Sequence, residues 1–177
     1  HPATVASVVP PAWIERAGTR SSLLAGIELR NGDVIQAGAG GAILQRLPDG
    51  ASASLAAESR MRVFGLESVR IPVPGAAPQA PDASRAQTTL RVDLLAGTAR
   101  FANQEEDSEF GFMIRAGDVL ASLRRGVLRA SLEADPELCL LAGRALVQRQ
   151  ARLLTLDEPD TCFTQTGVRQ ALPAGAA

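Results

Sequence analysis

The stretch "LRNGDVIQAG", Leu29 to Gly38, returns in looser form as "IRAGDVLASL", Ile114 to Leu123, with Arg-x-Gly-Asp-Val kept in both. Glycine followed by Asp is turn chemistry: glycine accepts positive φ at no steric cost, and the Asp carboxylate bonds nearby backbone N–H groups. Each copy therefore reads as a tight turn that delivers the chain into a strand, with Gly32, Asp33, Gly117 and Asp118 as structural turn residues. Asp49 and Gly50 of "PDG" form a third turn of the same chemistry. Arg30 and Arg115 precede the turn Asp in each copy and are placed for local surface ion pairs worth at most about 1 kcal/mol. A residue separates Arg from Gly both times, so no Arg-Gly-Asp adhesion motif is present.

The sequence around these turns alternates with period two, the pattern of strands buried on one face. In "SRMRVFG", Met61 and Val63 oppose Arg60 and Arg62; in "TTLRVDLL", Leu90, Val92 and Leu94 oppose Arg91 and Asp93; in "ESVRIP", Val69 and Ile71 oppose Ser68 and Arg70. Glycine turns recur at "NGD", "AGAGG", "PDG", "LAG", "AGD" and "RRG". Short strands between such turns describe an all-β sandwich, barrel or solenoid and argue against βαβ units. "LAGRALVQRQARLLTL", Leu141 to Leu156, has a composition that suits a helix, but Gln150 and Arg152 interrupt the apolar stripe, so strands are expected there too.

The organisation follows. A single domain is expected over 1–170, with an N-terminal half over 4–72, a Pro-rich loop from Pro72 to Gln87, a C-terminal half over 88–165, and a flexible tail over 171–177. Each half holds one Gly-Asp-Val turn. With 46% hydrophobic residues but five Phe and one Trp, the core must be aliphatic, and Trp13 is expected to anchor it.

Composition also limits function. All 18 basic residues are Arg against 19 acids, and no stretch concentrates Arg among aromatics, so a nucleic-acid partner is not expected. The acidic run "QEEDSE", Gln104 to Glu109, reads as a solvated loop. No apolar run approaches the roughly 20 residues that cross a bilayer as a helix, so no transmembrane segment is expected. The chain begins at His1 without Met, which fits a processed end or an arbitrary start. Cys139 and Cys162 suit either a disulfide, closing a loop of about 24 residues and adding roughly 3 kcal/mol, or two unpaired thiols.

Histidine is the usual general base near neutral pH, and His1 is the only one. Ser-His-Asp and Cys-His arrangements and His-based metal sites are thus excluded, leaving carboxylates. Asp33, Asp49 and Asp118 all sit in turns, where bonding to backbone explains them without catalysis. No catalytic site, cofactor or metal is expected.

Three blocks carry a family resemblance: "AWIERAG" (Ala12 to Gly18), "LLAGIELRNGDVIQAG" (Leu23 to Gly38) and "LPDGASASLAAES" (Leu47 to Ser59). Their order and spacing resemble the start of a FecR-like domain, with Trp13, Gly26, Leu29, Gly32, Asp33, Ile35, Gly38, Asp49, Gly50, Leu55 and Ser59 at matching positions. "LRVDLLAGTARF" is similar to that family's strand entering a Gly-x-x-Arg-Phe turn, and "FGFMIRAGDVLASLRRG" to the strand pair after it. Val127 stands where the family has an Arg-Gly-Thr element. The resemblance spans about residues 5–150. It implies a β-rich sandwich or solenoid of short antiparallel strands, acting without catalysis in the periplasm or as a secreted protein. The implied role is cell-envelope signalling through a protein partner. The family's cytoplasmic sigma-binding segment and membrane helix are not among these residues; the start at His1 favours a stand-alone secreted form, with its signal peptide removed, over an outer part alone. A secreted carbohydrate-binding or adhesin-like module is the alternative, and a small hydrolase ranks third.

Overall fold

The computed structural model describes residues 3–72, 84–105 and 109–170. Among the described residues every regular element is a strand apart from a single 3₁₀ turn at Pro48–Gly50. In chain order they are β1 (Thr4–Val9), β2 (Ala12–Arg16), β3 (Thr19–Ser22), β4 (Val34–Ala37), β5 (Ala42–Arg46), β6 (Ser52–Leu55), β7 (Arg60–Pro72), β8 (Ser84–Ala96), β9 (Thr98–Asn103), β10 (Phe110–Ala116), β11 (Val119–Ser131), β12 (Glu137–Arg149), β13 (Arg152–Leu156), β14 (Thr161–Thr164) and β15 (Gly167–Gln170). The expected alternation is visible in burial: Met61, Val63, Leu90, Val92 and Leu94 are all in the core. Leu141 to Leu156 forms the end of β12, a turn at Gln150–Ala151, and β13, not a helix.

The strands make one mixed sheet in the order β1-β5-β6-β9-β11-β10-β8-β7-β4-β2-β3, with β12 along β11, β13 and β14 along β12, and β15 on β14. The sheet curls into a half-barrel around a hydrophobic core in which four Phe join the expected aliphatic residues. Two features differ from the expected set of short antiparallel strands. β8 and β10 run parallel, Phe110 to Ala116 against Thr88 to Leu94, because β9 lies between them in the chain and carries it back. Four strands, β7, β8, β11 and β12, are 13 residues long.

Such long strands stay in a small curled sheet because they bend. At the midpoint of the β11–β12 ladder Gly126 faces Gly143, with φ of 137° and 78°. A Cβ on Gly126 would lie 2.2 Å from the Ala142 carbonyl oxygen, and one on Gly143 would lie 2.3 Å from the Arg125 carbonyl oxygen. Only glycine permits that approach. The first part of β11 pairs with β10, at Val119 to Leu123, and the second part with β9, at Gly126 to Ser131. The folded hairpin brings its tip back to its base: a Cβ on Gly117, in the β10–β11 turn, would lie 2.6 Å from Cγ of Pro136 in the β11–β12 turn.

The two halves are interleaved rather than set side by side. β6 of the first pairs with β9 of the second, and β7 pairs with β8 across the proline-rich stretch. That stretch is also shorter than its composition implies. Ser84 to Gln87 continue β8, paired with Pro72 to Val69, because the cross-strand ladder outlasts the last apolar alternation. The rest of the expected Pro-rich loop (73–83), residues 106–108 of the acidic run, His1, and the expected flexible tail over 171–177 lie outside the described residues.

Candidate functional site

The first Gly-Asp turn closes an irregular loop, running from Leu23, that delivers the chain into β4. Its local bonds are dense. Asp33 N–H donates to the Arg30 carbonyl at 3.1 Å, Gly32 N–H to the Val63 carbonyl at 2.8 Å, and Val63 N–H to the Asp33 carbonyl at 2.8 Å. The Asn31 side-chain oxygen accepts the Gly65 N–H at 2.9 Å, at the bulge between Val63 and Leu66 in β7. The turn is thereby stitched to a strand far away in sequence.

Asp33 itself is only 2% exposed. Its two oxygens are held by Arg16 at the end of β2, Nε to Oδ1 at 3.0 Å and a terminal nitrogen to Oδ2 at 2.7 Å, while the Arg30 backbone N–H donates to Oδ2 at 2.7 Å. Burial alone would raise the carboxyl's pKa. The Arg16 fork and the Arg30 N–H outweigh it and hold the group below its ordinary value, and Asp33 in turn raises that of Arg16. A forked guanidinium on a buried carboxylate is a structural clamp.

The local ion pairs expected from Arg30 and Arg115 are not what forms. Arg30 acts on Asp33 through its backbone N–H, and its guanidinium only through space. In both copies the contacting arginine comes from a neighbouring strand: Arg16 ends β2, which pairs with β4, and Arg149 ends β12, which pairs with β11. Nothing in the spacing of "ERAG" or "VQRQ" marks these two arginines; only the strand register brings them to the turns.

The second copy is built differently. Gly117 and Asp118 form a two-residue hairpin turn between β10 and β11, with Ala116 opposite Val119. The Asp118 side chain is 45% exposed and takes one bond, from Arg149 Nε at 2.7 Å, while Arg149 also donates to the Gln165 carbonyl at 2.7 Å. An open cavity of about 220 Å³ lies over this turn, lined by Arg115, Leu120, Gln148 and Gln150 among others. Gly117–Asp118 links two adjacent strands, whereas Gly32–Asp33 closes an irregular loop. At the third turn Asp49 and Gly50 both have positive φ, 59° and 73°, in the five-residue connection between β5 and β6.

Trp13 is not the core anchor expected. It is half-buried on the outer face of β2, between buried Ala12 and Ile14, with the Arg20 guanidinium 4.2 Å from its ring centroid and Gly38 close against its far edge. The core is filled instead by Phe101, Phe110, Phe112 and Phe163 with Ile and Leu. The ring of Trp13 is large enough to cover the sheet's outer surface, and the alternation of β2 places it there.

Cys139 and Cys162 stand directly opposite each other on β12 and β14 and are joined, with Cα atoms 4.0 Å apart. Glu137 lies beside them, 3.9 Å from Arg129 and in contact with Arg169. These three residues hold sulfur and carboxylate within a metal ion's reach, but sulfurs joined to each other offer no thiolate. A second open cleft, of about 720 Å³, sits at the glycine bend between Arg125 and Arg144, with Asp157 and Gln104 at its rim.

These features define a class: an all-β domain built on a curled mixed sheet, with the turn aspartates Asp33 and Asp118 tied to arginines from neighbouring strands. No family model and no curated protein matches the chain. Two crystal structures, at 2.50 and 1.65 Å resolution, of a candidate anti-sigma factor from Parabacteroides distasonis ATCC 8503 share its fold, with a TM-score of 0.53 at 17% identity. The match covers 78% of this chain and 59% of that one, so the chain spans less than two thirds of the length of that protein.

Proposed function

We propose that the chain is a FecR-type domain that works without catalysis, in the periplasm or outside the cell, by contact with a protein partner in cell-envelope signalling. The observation that carries this reading is the fold shared with the candidate anti-sigma factor over 78% of this chain, in agreement with the order of the Trp, Gly-Asp and Asp-Gly blocks. The state of Asp33 supports it: a dry carboxylate clamped by a forked arginine is a poor acid or base. The cross-strand disulfide fits an oxidising compartment. The carbohydrate-binding alternative loses its aromatic platforms, since the Trp13 ring lies beneath Arg20 and the Phe64 ring beneath Arg91.

The test is site-specific photo-crosslinking from several exposed strand positions in living cells, followed by fractionation of the envelope. The reading predicts adducts with a discrete protein in the periplasmic fraction. Adducts confined to glycan, or a chain retained in the cytoplasm, would contradict it.

A further inference from the structure

The charges of this protein are sorted by secondary structure. Seventeen of its 18 arginines lie in strands, Arg30 being the exception, whereas among the described strands the only acids are Glu15, Glu67, Asp93 and Glu137. The remaining acids fall in the connections or outside the described residues. The sheet's outer surface is therefore basic although the whole chain carries a net charge of −1.

The basic charge is not treated alike everywhere. Across β3-β2-β4-β7-β8-β10 one cross-strand row reads Arg20, Glu15, Val34, Arg62, Asp93, Arg115, so each arginine stands opposite an acid or beside one. This part of the surface largely neutralises itself, with two acids standing among three arginines. Across β9-β11-β12-β14-β15 the corresponding row reads Arg100, Arg129, Cys139, Cys162, Arg169. Here Arg100 is directly opposite Arg129. Like charges opposite each other destabilise a sheet. Glu137 is the one strand acid on this surface and engages Arg129 and Arg169; Arg100 has no ion pair among the described residues. The side chains of Arg129 and Arg169 are 45% and 49% exposed.

We infer that this arginine face, Arg100, Arg129 and Arg169 around the Cys139–Cys162 bond, is the docking surface for an acidic, extended segment of a partner protein. The inference rests on the reading of the domain as a protein-binding module and names the chemistry of what it binds. Neighbouring strands are about 4.8 Å apart, so Arg100 and Arg129 present two positive charges one strand apart, with Arg169 three strands beyond Arg129. An extended chain laid across the strands spaces alternate side chains at about 6.8 Å and matches carboxylates to such a row. Protein is favoured over nucleic acid because the row offers no aromatic on which a base could stack: Phe101 and Phe163 on these strands point into the core.

The experiment is a binding titration of the intact, oxidised protein with a fluorescent twelve-residue Glu-Ser repeat peptide. Controls are the Lys-Ser repeat and a single-stranded oligothymidine of equal charge. The expected result is binding of the acidic peptide alone, weakening as salt rises. Arg100→Glu weakens that binding by about tenfold or more while slightly raising thermal stability, since a glutamate would then face Arg129. Arg20→Glu, on the self-neutralised row, leaves binding unchanged. Absence of acidic-peptide binding, an equal loss in Arg20→Glu, or equally tight oligothymidine binding overturns the proposal. In cells, a protein adduct that persists in Arg100→Glu would sink the arginine face and leave the protein-binding reading standing; loss of every protein adduct in the unsubstituted chain would sink both.

Discussion

The two copies of Arg-x-Gly-Asp-Val share five-residue spelling and have opposite fates. Asp33 is 2% exposed and takes three charge-assisted bonds; Asp118 is 45% exposed and takes one. The difference lies in what surrounds the turn. The first copy ends an irregular loop that folds down onto β7, so its acid is sealed beneath backbone and Arg16. The second is a two-residue hairpin at the rim of the sheet, open to solvent and overlooking a small cavity. A short motif thus fixes the local turn, while burial, and with it energetic weight, comes from the chain's path on either side.

The largest effect expected from this contrast comes from removing Arg16 rather than Asp33. Arg16→Met leaves a carboxylate almost without water and with only the Arg30 N–H, and the loss is expected to be about 3 kcal/mol in urea denaturation. Arg149→Met is expected to cost about 1 kcal/mol, because Asp118 can turn to solvent. Equal losses in the two variants would mean that both corners are equally open in solution.

Acid provides the next test. Because the folded pKa of Asp33 is depressed, its contribution is fully present above the unfolded value, about 4, and is lost as pH falls through the lower folded value. Below about pH 4 the unsubstituted protein should therefore lose stability more steeply than Asp33→Asn, whose neutral amide has nothing left to protonate. Parallel pH profiles for the two proteins would show that the Arg16 clamp does not form. A smaller effect is expected at the β10–β11 turn: Asp118→Ala should change stability by less than about 1 kcal/mol.

Much of the fold was legible in the sequence, and the exceptions have physical causes. Period-two alternation placed Met61, Val63, Leu90, Val92 and Leu94 in the core because that signal is local and the sheet simply uses it. The bend at Gly126 and Gly143 was not legible: "RRG" looks like an ordinary turn, and only the pairing of Gly126 with Gly143 across a ladder makes a corner of it. The parallel pairing of β8 with β10 was hidden for the same reason, since it depends on where β9 goes. Trp13 was misplaced because size was weighed above strand phase. The turn residues were visible from spelling, whereas Arg16 and Arg149 arrive by register. The row of Arg100, Arg129 and Arg169 is dispersed in sequence and becomes a face only when five strands are aligned.

The most direct test of the account is equilibrium urea denaturation of Asp33→Ala and Asp118→Ala, measured side by side at neutral pH. The sealed-corner account predicts a loss of about 2 kcal/mol for Asp33→Ala and a loss under about 1 kcal/mol for Asp118→Ala. An Asp33→Ala protein as stable as the unsubstituted chain, or two equal losses, would contradict it.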